Sequence, residues 1–315
     1  MTQILTVTLN PAVDFTTAAD HIEPGPKLRC DPPVIEPGGG GVNVSRMIRL
    51  LGGNSTALVA IGGATGELMR TLMAGEALDC VFVEACGDTR MSFAVHERGT
   101  SDQYRFVLPG PEQDEAFARR VVTRLEALLQ ERHYSCVVGS GSLPPGVPDD
   151  FYGRLAEISA RHGARFILDA SGPALIAGLG PHVAVVKPND IEARMLAESL
   201  GLASDDFVAL GQHLVAHRKT QAAVLTLGEE GALLVTESGV SHVRPPSVPV
   251  VSKVGAGDSF VGAMVHGLAS GMAIEQAFAL GVSAAAAAVM TPATELARRE
   301  DVERIYATIS ADSAS

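Results

Sequence analysis

The residues best placed for chemistry lie in Ser252-Lys253-Val254-Gly255-Ala256-Gly257-Asp258-Ser259-Phe260. A Gly-Ala-Gly turn running straight into a helix leaves backbone N–H groups unpaired at the positive end of the helix dipole, which makes an anion site. An aspartate inside that turn repels a phosphate unless it has chemical work to do. Asp258 has the position of a general base that takes a proton from an acceptor hydroxyl, while the N–H groups of Gly255, Ala256 and Gly257 hold the charge on a transferring phosphoryl group. The competing reading is an ordinary carboxylate helix cap, against which the two flanking glycines count.

A second run, Gly38-Gly39-Gly40-Gly41-Val42-Asn43-Val44, also leads into a helix. Four successive glycines persist where φ is positive or where a ligand touches backbone, and a flexible hinge is the alternative. Asn43, in the first helical turn, can bind a sugar hydroxyl. In Lys187-Pro188-Asn189-Asp190-Ile191-Glu192 the three-residue spacing puts Asn189 and Glu192 on one face of a first turn. Two oxygens there suit a Mg²⁺ held largely through water, or equally a capping box. Thr226-Leu227-Gly228-Glu229-Glu230-Gly231-Ala232 reads as strand, glycine turn and strand, either a plain hairpin or backbone lying against a nucleotide. Asp14 falls just past a first strand over 4–9. Lys27 and Arg29 belong to one β-rich excursion, and Arg90 and Arg105 flank another; Arg suits a terminal phosphate because its fork binds bidentately.

These residues need a scaffold, and composition bounds it. The 315 residues are 46% hydrophobic and carry 24 basic against 36 acidic side chains, a net −12. That excludes a disordered chain and argues against nucleic-acid or membrane-surface binding, which need a positive field. Any anionic ligand must be held by local geometry, with Lys27, Arg29, Arg90, Arg105 and Lys187 expected to concentrate positive charge in one cleft. The four cysteines have no metal or CxxC spacing, and no secretory signal pattern opens the chain, so reduced thiols in the cytoplasm are expected.

Apolar strand runs at 4–9, 57–61, 136–138, 166–168, 183–186 and 222–227 alternate with helical periodicity at 42–51, 67–75, 117–129, 151–161, 190–198, 257–268 and 274–289. Strands separated by helices imply a mostly parallel, doubly wound α/β sheet binding ligands at the carboxyl ends of its strands. The segments 15–36 and 91–108 lack helical period and can pair as a small separate sheet. The sequence contains no Walker A loop and no protein-kinase HRD or DFG set, and its first strand is not followed by GxGxxG.

With these residues in place, the chain resembles the PfkB carbohydrate kinases of the ribokinase-like fold. The glycine run with Gly52 and the Gly255-Ala256-Gly257-Asp258 turn carry the likeness, in matching order across nearly the whole chain. Thr8-Leu9-Asn10-Pro11-Ala12 is similar to the phosphosugar branch, and Lys27-Leu28-Arg29-Cys30, Gln103 to Val107 and Gly141-Ser142-Leu143-Pro144-Pro145-Gly146 to its 6-phosphofructokinase subgroup.

The resemblance implies one kinase domain with lid segments at about 15–36 and 88–110, working as a homodimer through the β lid on fructose 6-phosphate and MgATP. It assigns Asp258 the role of base and Gly255, Ala256 and Gly257 that of the anion hole. Asp14, Gly39, Asn43 and Ser142 match sugar contacts, and Arg90, Arg105 and Lys27 match phosphate contacts. Lys187, Asn189, Thr226, Gly228 and Gly231 match the nucleotide region, with Asn189 and Glu192 at the metal. Tagatose 6-phosphate and fructose 1-phosphate are sister substrates, and a non-catalytic sugar-phosphate regulator is a more distant alternative. Two departures, Ser252-Lys253 before the phosphate turn and the lack of the usual Asn and Gly near Thr291 to Ala293, imply a weaker K⁺ dependence than in relatives.

Overall fold

The apolar runs of the sequence become the strands of one large sheet, and the polar-spaced stretches become a second, small one. The computed structural model describes residues 3–100, 102–292 and 295–312. In chain order the first half contains β1 (Gln3–Thr8), β2 (Ala12–Ala19), β3 (Val34–Gly38), α1 (Gly40–Leu50), β4 (Ser55–Ile61), α2 (Gly63–Gly75), β5 (Asp79–Glu84), β6 (Arg90–Glu97), β7 (Gln103–Val107), α3 (Glu115–Glu131), β8 (Tyr134–Ser140) and α4 (Phe151–Arg161). The second half contains β9 (Arg165–Asp169), α5 (Pro173–Gly178), β10 (Val183–Val186), α6 (Asp190–Ser199), α7 (Phe207–Ala216), β11 (Ala222–Thr226), β12 (Ala232–Thr236), β13 (Gly239–Val243), α8 (Ala256–Ala269), α9 (Ile274–Ala288) and α10 (Arg299–Asp312).

The large sheet runs β13-β12-β11-β10-β9-β8-β1-β4-β5. Its strands from β5 to β11 pair in parallel, and β12 and β13 add an antiparallel edge. Helices cover both faces, which is why β10 reads as an unbroken apolar Val-Ala-Val-Val. One core layer joins the sheet to α3, α4, α6 and α7 through residues such as Phe117, Leu155, Leu196 and Leu214. The other joins it to α1, α8, α9 and α10 through Met47, Phe260, Phe278 and Ile305. The α8 and α9 helices are apolar almost all round because they are enclosed.

The small sheet runs β3-β2-β6-β7, with β2 and β6 parallel and the outer pairs antiparallel. It rests on a cluster of Val13, Val42, Val59, Met69 and Met73, with α2 beneath. Its edge strand β7 leaves Phe106 54% and Val107 55% exposed, and the opposite edge strand β3 leaves Val34 57% exposed.

The expected alternation and small sheet are present, with corrections. Strand β2 begins at Ala12, so Asp14 lies within the small sheet and not just past the end of β1. Only three residues separate the two strands, and the apolar run across Pro11 hides the break. Strands β5 and β13 and helices α5, α7 and α10 were not expected. Among the described residues no helix is long and apolar enough to cross a membrane.

Candidate active site

The order of strands reverses at β1, which has β4 on one side and β8 on the other, and the site residues gather at the carboxyl ends around that reversal. The glycine run turns the chain there from β3 into α1. Gly39 has φ 116°, and a Cβ on Gly38 would overlap the Asp14 carboxylate while one on Gly40 would overlap the Ser140 hydroxyl. The run is therefore a tight seam fixed by sterics, not a hinge.

At the other end of the chain Gly255 (φ 76°, left-handed) caps α8 without any side-chain hydrogen bond. The first N–H groups of the helix are thus uncapped, as an anion site requires. Asp258 is the third helical residue, and its carboxylate Oδ2 accepts from Asn43 Nδ2 at 2.8 Å, joining α8 to α1. Asp258 is half-buried by surface exposure, yet its carboxyl is densely enclosed. That desolvation and the nearby Asp169 raise its pKa to about 7, while Asn43 and Lys187 partly oppose the rise.

Asp169, at the end of β9, is the site residue that sequence reasoning missed. The buried Lys187 places Nζ 3.0 Å from its Oδ1, and Ser140 Oγ donates to its Oδ2 at 3.0 Å. The only local signal was an acid ending an apolar strand. Burial alone would discharge Lys187, but Asp169, Glu192 and Asp258 around it hold its pKa above the ordinary value. Lys187 Nζ also lies 3.6 Å from where a Cβ on Gly257 would sit, so an ammonium faces the anion turn.

Asn189 and Glu192 form a reciprocal capping box at the start of α6. Asn189 Oδ1 accepts from the Glu192 N–H, and Glu192 Oε2 accepts from the Asn189 N–H, each at 2.9 Å. The three-residue spacing thus forms the capping box that the sequence offered as one of its two readings, with one oxygen of each residue bound to its own helix. Asn189 bridges to Thr226, so the strand ends that lead into Gly228 and Gly231 adjoin it.

Asp14, Asn43, Val254 and Gly255 line one small pocket, together with Glu36, Arg46 and Leu296. Desolvation raises the Asp14 pKa to about 6 against the pull of Arg90 and Arg105. Arg90 donates Nε to Asn10 O at 3.1 Å, and Asn10 donates Nδ2 to Ser142 Oγ at 3.1 Å, linking the small sheet to the loop after β8. Lys27 and Arg29 are exposed in the irregular connection between β2 and β3. Of the basic residues expected to gather in one cleft, Lys187 faces Asp169 and Arg90 faces Asp14. Ser252 Oγ accepts from Val254 N at 3.2 Å, and Thr291 Oγ1 bonds the Ala288 and Glu295 carbonyls; Ala293 lies outside the described residues. A more open depression, lined by Glu84, Cys86, Asp88 and Arg120, lies beside β5 and holds none of these residues.

The model of the pfkB family carbohydrate kinases matches residues 4–300. The chain is 40% identical over 311 residues to ATP-dependent 6-phosphofructokinase isozyme 2 of Escherichia coli (strain K12), covering 98% of this chain and 100% of that protein. It is 32% identical over 305 residues to 1-phosphofructokinase of Bacillus subtilis (strain 168), covering 96% and 97%. The crystal structure of phosphofructokinase-2 from Escherichia coli in complex with fructose-6-phosphate matches with a TM-score of 0.89 at 40% identity, covering 98% of this chain and 100% of that one. With the family match spanning nearly its whole length and the ribokinase-like sheet in place, the chain belongs to the pfkB carbohydrate kinases.

Proposed function

We propose that the chain is an ATP-dependent 6-phosphofructokinase of the cytoplasm. Asp258 accepts the proton of the fructose 6-phosphate C1 hydroxyl, the freed oxygen attacks the γ-phosphorus in line, and the bond to ADP breaks. The N–H groups of the Gly255–Gly257 turn and the Lys187 ammonium hold the charge on the phosphoryl oxygens. Asp14, Gly39, Asn43 and Ser142 orient the sugar, Arg90 and Arg105 with Lys27 and Arg29 of the lid hold its phosphate, and Thr226, Gly228 and Gly231 flank the nucleotide. The single observation that carries the reading is the Asn43–Asp258 bond, which sets a base of pKa about 7 beside an uncapped helix start.

The residues suit Mg²⁺ in one way. Three carboxylates, Asp169, Glu192 and Asp258, surround the single Lys187 ammonium. Among the described residues no three acidic or His/Cys groups cluster tightly enough to chelate an ion directly. A water-mediated ion at Glu192 and Asn189 fits, since Mg²⁺ keeps several waters and needs few protein ligands. When bound it supplies charge neutralisation to the phosphates. The exposed Phe106 and Val34 of the small sheet support a homodimer formed through the lid.

ADP release should be compared over fructose 6-phosphate, tagatose 6-phosphate, fructose 1-phosphate and ribose, each with and without KCl at fixed ionic strength. The highest kcat/KM is expected for fructose 6-phosphate, with little response to K⁺ because Ser252 and Thr291 already use their hydroxyls. A higher value for another sugar overturns the substrate. A second expectation concerns pH: a base must be deprotonated, so kcat/KM, which reports groups of the free protein, should rise through about pH 7 and level above it. A flat profile from pH 5.5 to 8.5 removes Asp258 from this role.

A further inference from the structure

The sugar pocket holds a charged pair that the reaction above does not use. Glu36, on β3, stands directly opposite Asp14 on β2, so two carboxylates face one another across an antiparallel pair. Like charges so placed repel. Arg46, on α1, reaches back with one nitrogen, Nη2, to Glu36 Oε1 and to Glu76 Oε1, each at 3.0 Å. Glu76 caps α2, so this one guanidinium ties the small sheet to two helices of the body. Arg46 is 11% and Glu36 18% exposed, and both line the pocket with Asp14 and Asn43. Arg46 Nε and Glu36 Oε2 are buried and find no partner among the described residues, so the pair is incompletely satisfied where it stands. A purely structural bridge would be expected to satisfy both atoms.

We propose that Arg46 is a positioning residue of the sugar-phosphate subsite, which screens Glu36 from Asp14 and fixes β3 so that Asp14 stays ionised to accept hydrogen bonds from the sugar. The inference rests on the sugar-phosphate reading above. Besides Glu36 and the Arg46 that faces it, the groups around Asp14 include Arg90 and Ser92 of β6, Arg105 of β7 and Asp258 of α8.

The test titrates Asp14 by carboxyl ¹³C NMR in the ligand-free protein, assigned with Asp14→Asn. In parallel, Kd for the best sugar phosphate of the panel is measured at pH 6.0 and 8.5 without nucleotide. Arg46→Met should raise the Asp14 midpoint by about one unit and weaken binding about fivefold at pH 6.0, converging on wild type at pH 8.5. Glu36→Gln should lower the midpoint, and the double variant should return close to wild type. The ligand's own phosphate titration cancels in these ratios. An unmoved Asp14 midpoint, or an Arg46→Met loss equal at both pH values, reduces the pair to a structural tie and overturns the proposal. If Arg46→Met does not fold, Glu36→Gln decides by the direction of its midpoint. A wild type that binds no sugar phosphate refutes the functional reading, whereas the NMR titration tests the charge coupling without ligand.

Discussion

Asp258→Asn should lose about 10²–10⁴-fold in kcat while its affinity for the sugar phosphate stays within a few-fold. Asparagine keeps the shape and still accepts from Asn43, so the change removes the proton acceptor and little else. The same variant should be more stable than wild type above neutral pH. The Asp258 carboxyl has a pKa of about 7 in the fold against an ordinary 3.8. The unfolded chain therefore gives up this proton first, and the stability that the proton supports is lost as pH rises from about 4 through 7. Asparagine has no such loss, so its melting temperature should exceed wild type at pH 8 and match it below pH 4. Turnover within tenfold of wild type would show that another group takes the proton.

Lys187→Met should cost stability and rate together. Lys187 is 5% exposed and its partner Asp169 is nearly as enclosed, so the variant strands a carboxylate in the interior at a cost of about 3–5 kcal/mol. It also takes a cation from beside Asp258, whose pKa must then rise, moving the acid limb of the rate profile to higher pH. Asp169→Asn strands the ammonium instead and relieves Asp258 of a neighbouring negative charge, so its limb should move the opposite way. Urea unfolding of both single variants and the double should show the double less destabilised than the sum, as expected for one shared pair. Strict additivity would mean that the two side chains act independently.

The contrast between Asp258 and Asp169 shows what a sequence makes readable. The glycine turn and Asp258, the proposed base, occupy one short segment, and the rules for starting a helix connect them directly. Asp169 meets Lys187 across neighbouring strands, eighteen residues apart in the chain, and no local spacing encodes that meeting. Asn189 and Glu192 were legible as a pair but not as to purpose, since a capping box and two metal donors need the same three-residue step. Lys27 and Arg29 carry only charge, and charge alone does not say where an irregular segment lies. The doubly wound sheet was plain from alternation, whereas α7, an almost continuous apolar run without a clear polar face, and the largely polar α10 were not.

The bond between Asn43 and Asp258 spans 215 residues, and it lies where α1 packs on α8, with Gly262 pressed against Met47. During synthesis at about 5–20 residues per second, roughly 10–40 s separate the two residues. For that interval the Val44, Met47 and Ile48 face of α1 has no α8 to cover it. The nascent chain can complete its early strands but not the Asn43–Asp258 contact, so a ribosome stalled before α8 holds an intermediate that lacks the proposed base and has an apolar helix face open to chaperones. Enzyme activity is in this way a report that the last fifth of the chain, from α8 onward, has been made and docked.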